Sequence, residues 1–107
     1  MKTDVIFRTW KHGYFKDGID AYFVHECNSP CGQISCYAHI GQHSLADYKY
    51  CVERTRLATP AEYADLKSEL ESIGYSLNVI KRQNYNKYLK SYHGTIGKVI
   101  KRNSGVL

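Results

Sequence analysis

The chain opens with two blocks of alternating hydrophobic and polar positions. Residues 3–10 (TDVIFRTW) place Val5 and Phe7 on one side and Ile6, Arg8 and Trp10 on the other, with β-branched and aromatic side chains throughout, and predict a strand. Turn signals at Gly13 and Asp17-Gly18 separate it from a second strand over 19–25, so residues 3–25 are expected to form an antiparallel hairpin with an elongated connection. Residues 26–32 (ECNSPCG) are rich in turn formers and predict a loop, followed by a third strand over 33–40 that ends at Gly41.

The pattern then changes period. Leu45, Tyr48 and Val52 match a helical stripe over 45–54. Thr59 stands at an N-cap position with Pro60 at the first helical position and Glu62 three residues after the cap, which is the signature of a capping box. The helix that follows, about 60–73, carries a stripe of Tyr63, Leu66, Leu70 and Ile73, with Glu62, Asp65 and Glu69 on an acidic face and Gly74 as the stop signal. A fourth strand is expected over 75–82, then a short helix over 83–92 with Tyr85, Tyr88 and Tyr92 on one side. Gly94 and Gly97 are expected to break it, with a short strand over 95–101 and a frayed end over 103–107. The predicted class is α+β: an antiparallel sheet of three to five strands backed by one main helix and one or two short ones. Residues 1–92 are expected to form one compact domain, and 93–107 a basic, partly ordered C-terminal extension.

Charge sharpens this outline more than composition does. All ten acidic residues lie between Asp4 and Glu71. Residues 1–75 hold eight Lys/Arg against those ten carboxylates, a net −2, whereas residues 76–107 hold seven Lys/Arg and no acid, a net +7. The formal +5 is thus a positive end on a nearly neutral body, which bears on partners rather than on fold. Lys81, Arg82, Lys87, Lys90, Lys98, Lys101 and Arg102, interleaved with tyrosines, supply phosphate contacts and rings for base stacking. The same tyrosines equally fit the core-facing stripe of the last helix, with the lysines as its solvated face.

Candidate chemistry concentrates between His25 and His43. Cys27, Cys31, Cys36 and His39 are conceivable zinc ligands, but the CxxC knuckle is missing and the two pairs are too close for the usual spacing, so neither a metal nor any other cofactor is expected. Cys36 with His39 or His43 makes a conceivable nucleophilic pair without an assignable third group. His39, Gln42 and His43 also define a possible strand-end binding loop. There is no P-loop, GxGxxG, HExxH or GxSxG. No stretch approaches the roughly 18 apolar residues of a membrane span and residues 1–4 lack the apolar run of a signal peptide, so a cytoplasmic location with reduced thiols is expected.

Four segments, MKTDVIFRTWK (1–11), YAHIGQHSLADY (37–48), ATPAEYADLKSELESIGY (58–75) and NVIKR (78–82), resemble a family of small uncharacterised proteins of gut bacteria and their phages or mobile elements. The resemblance implies a phage or mobile-element accessory protein and draws interest to His39, Gln42 and His43, which lie in the shared part. It also implies that the Cys27/Cys31 loop and the tail after His93 are peculiar to this chain. The expected function is non-catalytic: a protein that contacts nucleic acid or a nucleoprotein through its basic, Tyr-rich C-terminal region. The alternatives are an inhibitor or adaptor directed at a host protein with an acidic surface, for example a defence protein, and a small Cys/His enzyme.

Overall fold

The computed structural model describes residues 2–38 and 42–104, with side chains over 2–38 and 43–97. The elements run β1 (Thr3–Trp10), β2 (Ile19–Cys27), β3 (Ile34–Ala38), β4 (Gln42–Ala46), α1 (Tyr48–Arg54), β5 (Thr55–Leu57), α2 (Pro60–Ser72), β6 (Leu77–Val79) and α3 (Tyr85–Ser104). The class is α+β, as the sequence predicts.

Six strands form one sheet in the order β4-β3-β2-β1-β5, with β6 also on β1. The pairs are antiparallel except β1 with β6, which are parallel. Two strands share the far side of β1: β6 covers its first half (Thr3↔Leu77, Val5↔Val79) and β5 its second (Arg8↔Leu57, Trp10↔Thr55). The amides of Ala58 and Ile80 fill the junction by donating to Phe7 O and Val5 O. The side of β1 away from β2 is therefore paired along nearly its whole length.

The sheet is covered on both faces. Val5, Phe7, Ala21, Phe23 and Tyr37 pack with Leu77 against Leu66 and Leu70 of α2. On the opposite face Ile6, Tyr22, Val24, Ile34 and Cys36 pack with Cys51 of α1, and Tyr48 and Tyr88 close over them. This double burial explains the unbroken apolar runs at 5–7 and 21–24, since a strand covered on both faces has no polar side to present.

α2 carries the expected capping box. Thr59 Oγ1 accepts the Glu62 amide while Glu62 Oε1 accepts the Thr59 amide, and Gly74 ends the helix with φ +112°. Ile73, expected in the buried stripe, is 53% exposed, because it is the C-cap residue and has left the helical register.

Other expectations are corrected. The second strand continues to Cys27, taking over the start of the predicted 26–32 loop. Residues 42–46 form an edge strand rather than a loop followed by a helix; the helix begins only at Tyr48, after Asp47 caps it by accepting the Tyr50 amide. The pattern does not predict β5, and the strand expected over 75–82 is only three residues long, as β6. The last helix is the longest of the three and passes through Gly94 and Gly97 to Ser104, where a break and a strand over 95–101 were expected. Ser91 and Thr95, one turn apart across Gly94, both hydrogen-bond the backbone of Cys27 and hold that turn helical. This anchorage offsets a glycine penalty of about 1 kcal/mol per residue.

Candidate nucleic-acid interface

The positive end begins where β6 gives way to α3, and four side chains fix that junction. Gln83 Nε2 donates to Val24 O at 2.8 Å. The Asn84 amide donates to His25 Nε2 at 2.7 Å, and Asn84 Oδ1 accepts the Lys87 amide, making Asn84 the N-cap of α3. His25 Nδ1 in turn lies 2.9 Å from Asp4 Oδ2. Because Nε2 accepts, the imidazole proton sits on Nδ1 and is donated to the carboxylate. Asp4 also accepts from Asn78 Nδ2 at 2.8 Å and lies 3.3 Å from Lys87 Nζ. The Asn78 hydrogen bond, helped by His25 and Lys87 and opposed by burial, holds the Asp4 carboxyl below its ordinary value. One carboxylate thus ties β1, β2, β6 and α3 together.

Farther along α3, Ser91 Oγ accepts the Cys27 amide at 2.8 Å and Thr95 Oγ1 donates to Cys27 O at 2.9 Å. These polar clamps orient the tyrosines. Tyr88 OH donates to Gly32 O at 2.8 Å and Tyr92 OH to Pro30 O at 3.4 Å. Tyr85, Tyr88 and Tyr92 form a continuous stack, with centroids 5.9 and 6.1 Å apart and planes inclined by 28° and 19°. Gly32 is required beneath it: its φ is +84°, and a Cβ there would lie 2.7 Å from the Tyr88 oxygen. Tyr88 and Tyr92 are therefore packing residues, whereas Tyr85, at the end of the stack, is 63% exposed.

Lys81, Arg82 and Lys90 are exposed and have no carboxylate within 4 Å among the described residues. Lys87 remains largely open to solvent despite its contact with Asp4. The side chains of Lys98, Lys101 and Arg102 lie outside the described residues. Their backbone belongs to α3, and helical periodicity puts positions 87, 90, 98 and 101 along one side of it. The acidic face of α2 is not poised to neutralise this charge at Glu62, which is engaged by a two-pronged pair with Arg56 at 2.7 and 2.9 Å.

The strand-end candidates separate. His39 lies outside the described residues, and of Gln42 only the backbone, in β4, is described. His43 is exposed, with Nε2 3.0 Å from Tyr75 OH and its ring edge-on to Tyr37. In the β3–β4 register Cys36 faces Ser44 and Tyr37 faces His43, so Cys36 and His43 point to opposite faces of the sheet and form no nucleophilic pair. Cys36 Sγ instead lies 3.0 Å from Ser44 Oγ, and burial pushes its thiol up, away from the thiolate. Cys27 is buried with its thiol donating to Ser29 O, while Cys31 is exposed. No group of three or more His, Cys, Asp or Glu positioned for a metal occurs among the described residues. No helix among them is long and apolar enough to cross a membrane.

A cleft of about 480 Å³ opens between α1 and the start of α3, lined among others by Asp47, Tyr48, Glu53, Gln83, Tyr85 and Tyr88. Sequence reasoning did not find it, because its walls lie almost forty residues apart. The Asp4–His25–Asn84 chain was missed as well; the Asp-before-helix signal at Asp47 was readable, but nothing in the pattern pairs His25 with position 84. Comparison with protein-family models, with curated proteins and with solved structures gave no match.

Proposed function

We propose that the protein is a non-catalytic binding factor that contacts nucleic acid or a nucleoprotein through the segment from Lys81 into α3. One observation carries the reading. The acid-free end of the sequence is a clamped junction and a long helix on which Lys81, Arg82 and Lys90 are exposed without carboxylate partners among the described residues. Exposed cations without carboxylate partners, on the same segment as an exposed aromatic ring, are what a polyanion-binding surface presents. The setting belongs to the same proposal: an accessory protein of a phage or mobile element, as the resemblance of the four segments implies.

The test is titration of fluorescent single- and double-stranded oligonucleotides at about 50 and 200 mM salt. Binding that weakens steeply with salt, and is lost when Lys81, Arg82, Lys87 and Lys90 become Glu, supports the reading. Absent or salt-insensitive binding rejects it. A single stoichiometric partner that survives nuclease treatment in a host-lysate pull-down would move the assignment to a protein-directed inhibitor or adaptor.

A further inference from the structure

Resting on that reading, we infer that the nucleic acid is single-stranded and that the cleft between α1 and α3 receives one unpaired base, stacked on Tyr85 and preferred when it bears an exocyclic amine. Tyr85 is not a loose aromatic. It ends a three-ring stack whose inner members are anchored to Gly32 O and Pro30 O, and it is 63% exposed where it lines the cleft. A ring held in this way offers a π face with little ordering left to occur on binding. A base inside a duplex has both faces already stacked, so only an unpaired one can take this place.

The lining sets the chemistry of that base. Gln83 donates one amide hydrogen to Val24 O, and its carbonyl oxygen takes no hydrogen bond among the described residues and remains an acceptor. Asp47 accepts the Tyr50 amide through Oδ1 at a long 3.4 Å and keeps Oδ2, and Glu53, whose Oε2 lies 3.6 Å from Arg54 Nη1, adds a second carboxylate with Oε1 open. Lys49 is the one cation of the lining. Acceptors therefore predominate, and they match the amino groups of cytosine, adenine and guanine better than thymine or uracil, which carry no exocyclic amine. The same carboxylates repel phosphate. The backbone is accordingly kept outside the cleft, toward Lys81 and Arg82, which immediately precede Gln83. Base inward and phosphate outward is the polarity that this distribution of charge imposes.

Anisotropy titrations with labelled oligo-dC, oligo-dA and oligo-dT of about twelve nucleotides, and with a duplex of the same length, test it. The expected order is dC and dA tighter than dT, and dT tighter than duplex. Tyr85→Ala should weaken single-strand binding about tenfold or more, Tyr85→Phe should retain it, and neither should alter the far-ultraviolet circular dichroism. Duplex bound as tightly as single strands, or a Tyr85→Ala variant with undiminished affinity, overturns the inference. If Lys81→Glu/Arg82→Glu still abolishes binding in that case, the broader reading survives. Equal affinity for dC and dT with a Tyr85→Ala defect removes the amine preference. No binding to any oligonucleotide ends both.

Discussion

Nε2 of His25 accepts the backbone N–H of Asn84 at 2.7 Å, and for α3 this contact does what the Glu62 carboxylate does for α2. In α2 the N-cap residue Thr59 and its third successor Glu62 satisfy each other's amides. In α3 the corresponding third residue is Lys87, which has no acceptor, so an imidazole from β2 closes the box instead. Half of the cap, from Asn84 to the Lys87 amide, is local; the other half is a tertiary contact between residues 59 positions apart and is made only where the sheet is formed.

His25→Ala removes the acceptor for Asn84 and one partner of Asp4 together. Urea denaturation should show a loss of about 1–3 kcal/mol, larger than the roughly 1 kcal/mol expected for Asn84→Ala. A His25→Ala protein as stable as the parent would mean that the contact contributes nothing.

The split between what was readable and what was not follows sequence distance. The α2 capping box and the stop at Gly74 rest on neighbours within a few residues, the β1–β2 hairpin on two strands adjacent along the chain, and they are where the pattern puts them. β5 and β6 are each three residues long, too short to establish a period, and exist because β1 offers them an edge. α3 runs through Gly94 because Cys27 holds the turn from outside. At the candidate site the basic residues were evident from charge alone, whereas the cleft needs Asp47 and Tyr85 to meet across the fold.

Acid should destabilise the protein in part through two carboxylates. Arg56, then the Thr59 amide, pull Glu62 down to about 2, and Asn78, with His25 and Lys87, holds Asp4 below its ordinary value. A folded value below the unfolded one stabilises above the unfolded pKa and is lost as pH falls through the folded one. Tm should accordingly drop between about pH 4 and pH 2, and the drop should be shallower in Asp4→Asn and Glu62→Gln. The Glu62 share should shrink in high salt, because its pair with Arg56 is at the surface. An acid limb unchanged by both substitutions would contradict this.

Thiol titration separates Cys31 from its fellows. Cys31 is exposed, while burial raises the thiols of Cys36 and Cys51. One equivalent of an aromatic disulfide reagent should react rapidly at neutral pH, and Cys31→Ser should abolish that phase. A fast phase surviving in Cys31→Ser and absent from Cys36→Ser would revive a nucleophilic role for Cys36.

Gly32→Ala forces a Cβ to within 2.7 Å of the Tyr88 hydroxyl at a φ of +84°. Backbone strain and the displaced ring together should lower stability by about 1–3 kcal/mol, and Tyr88→Phe should cost about 1 kcal/mol by losing only the hydrogen bond. Circular dichroism melts compare the two, and a Gly32→Ala variant no less stable than Tyr88→Phe would show that the stack is not seated on this turn.

Among the described residues Thr9 Oγ1 is buried without a hydrogen-bond partner. Thr9→Val keeps the branched shape and removes the stranded hydroxyl, so the midpoint of urea unfolding should rise, by about 1 kcal/mol in free energy. A fall would indicate a water or an alternative partner at that hydroxyl.

The shared edge of β1 also sets the order in which the protein can be made. β1 precedes β6 along the chain, and half of its outer side waits for Leu77–Val79, some seventy residues later. Until they arrive, a nascent chain holds an apolar strand with open amides and carbonyls, the kind of template that recruits foreign strands. A fragment ending at Gly74 should therefore aggregate even though α2 and its capping box are intact.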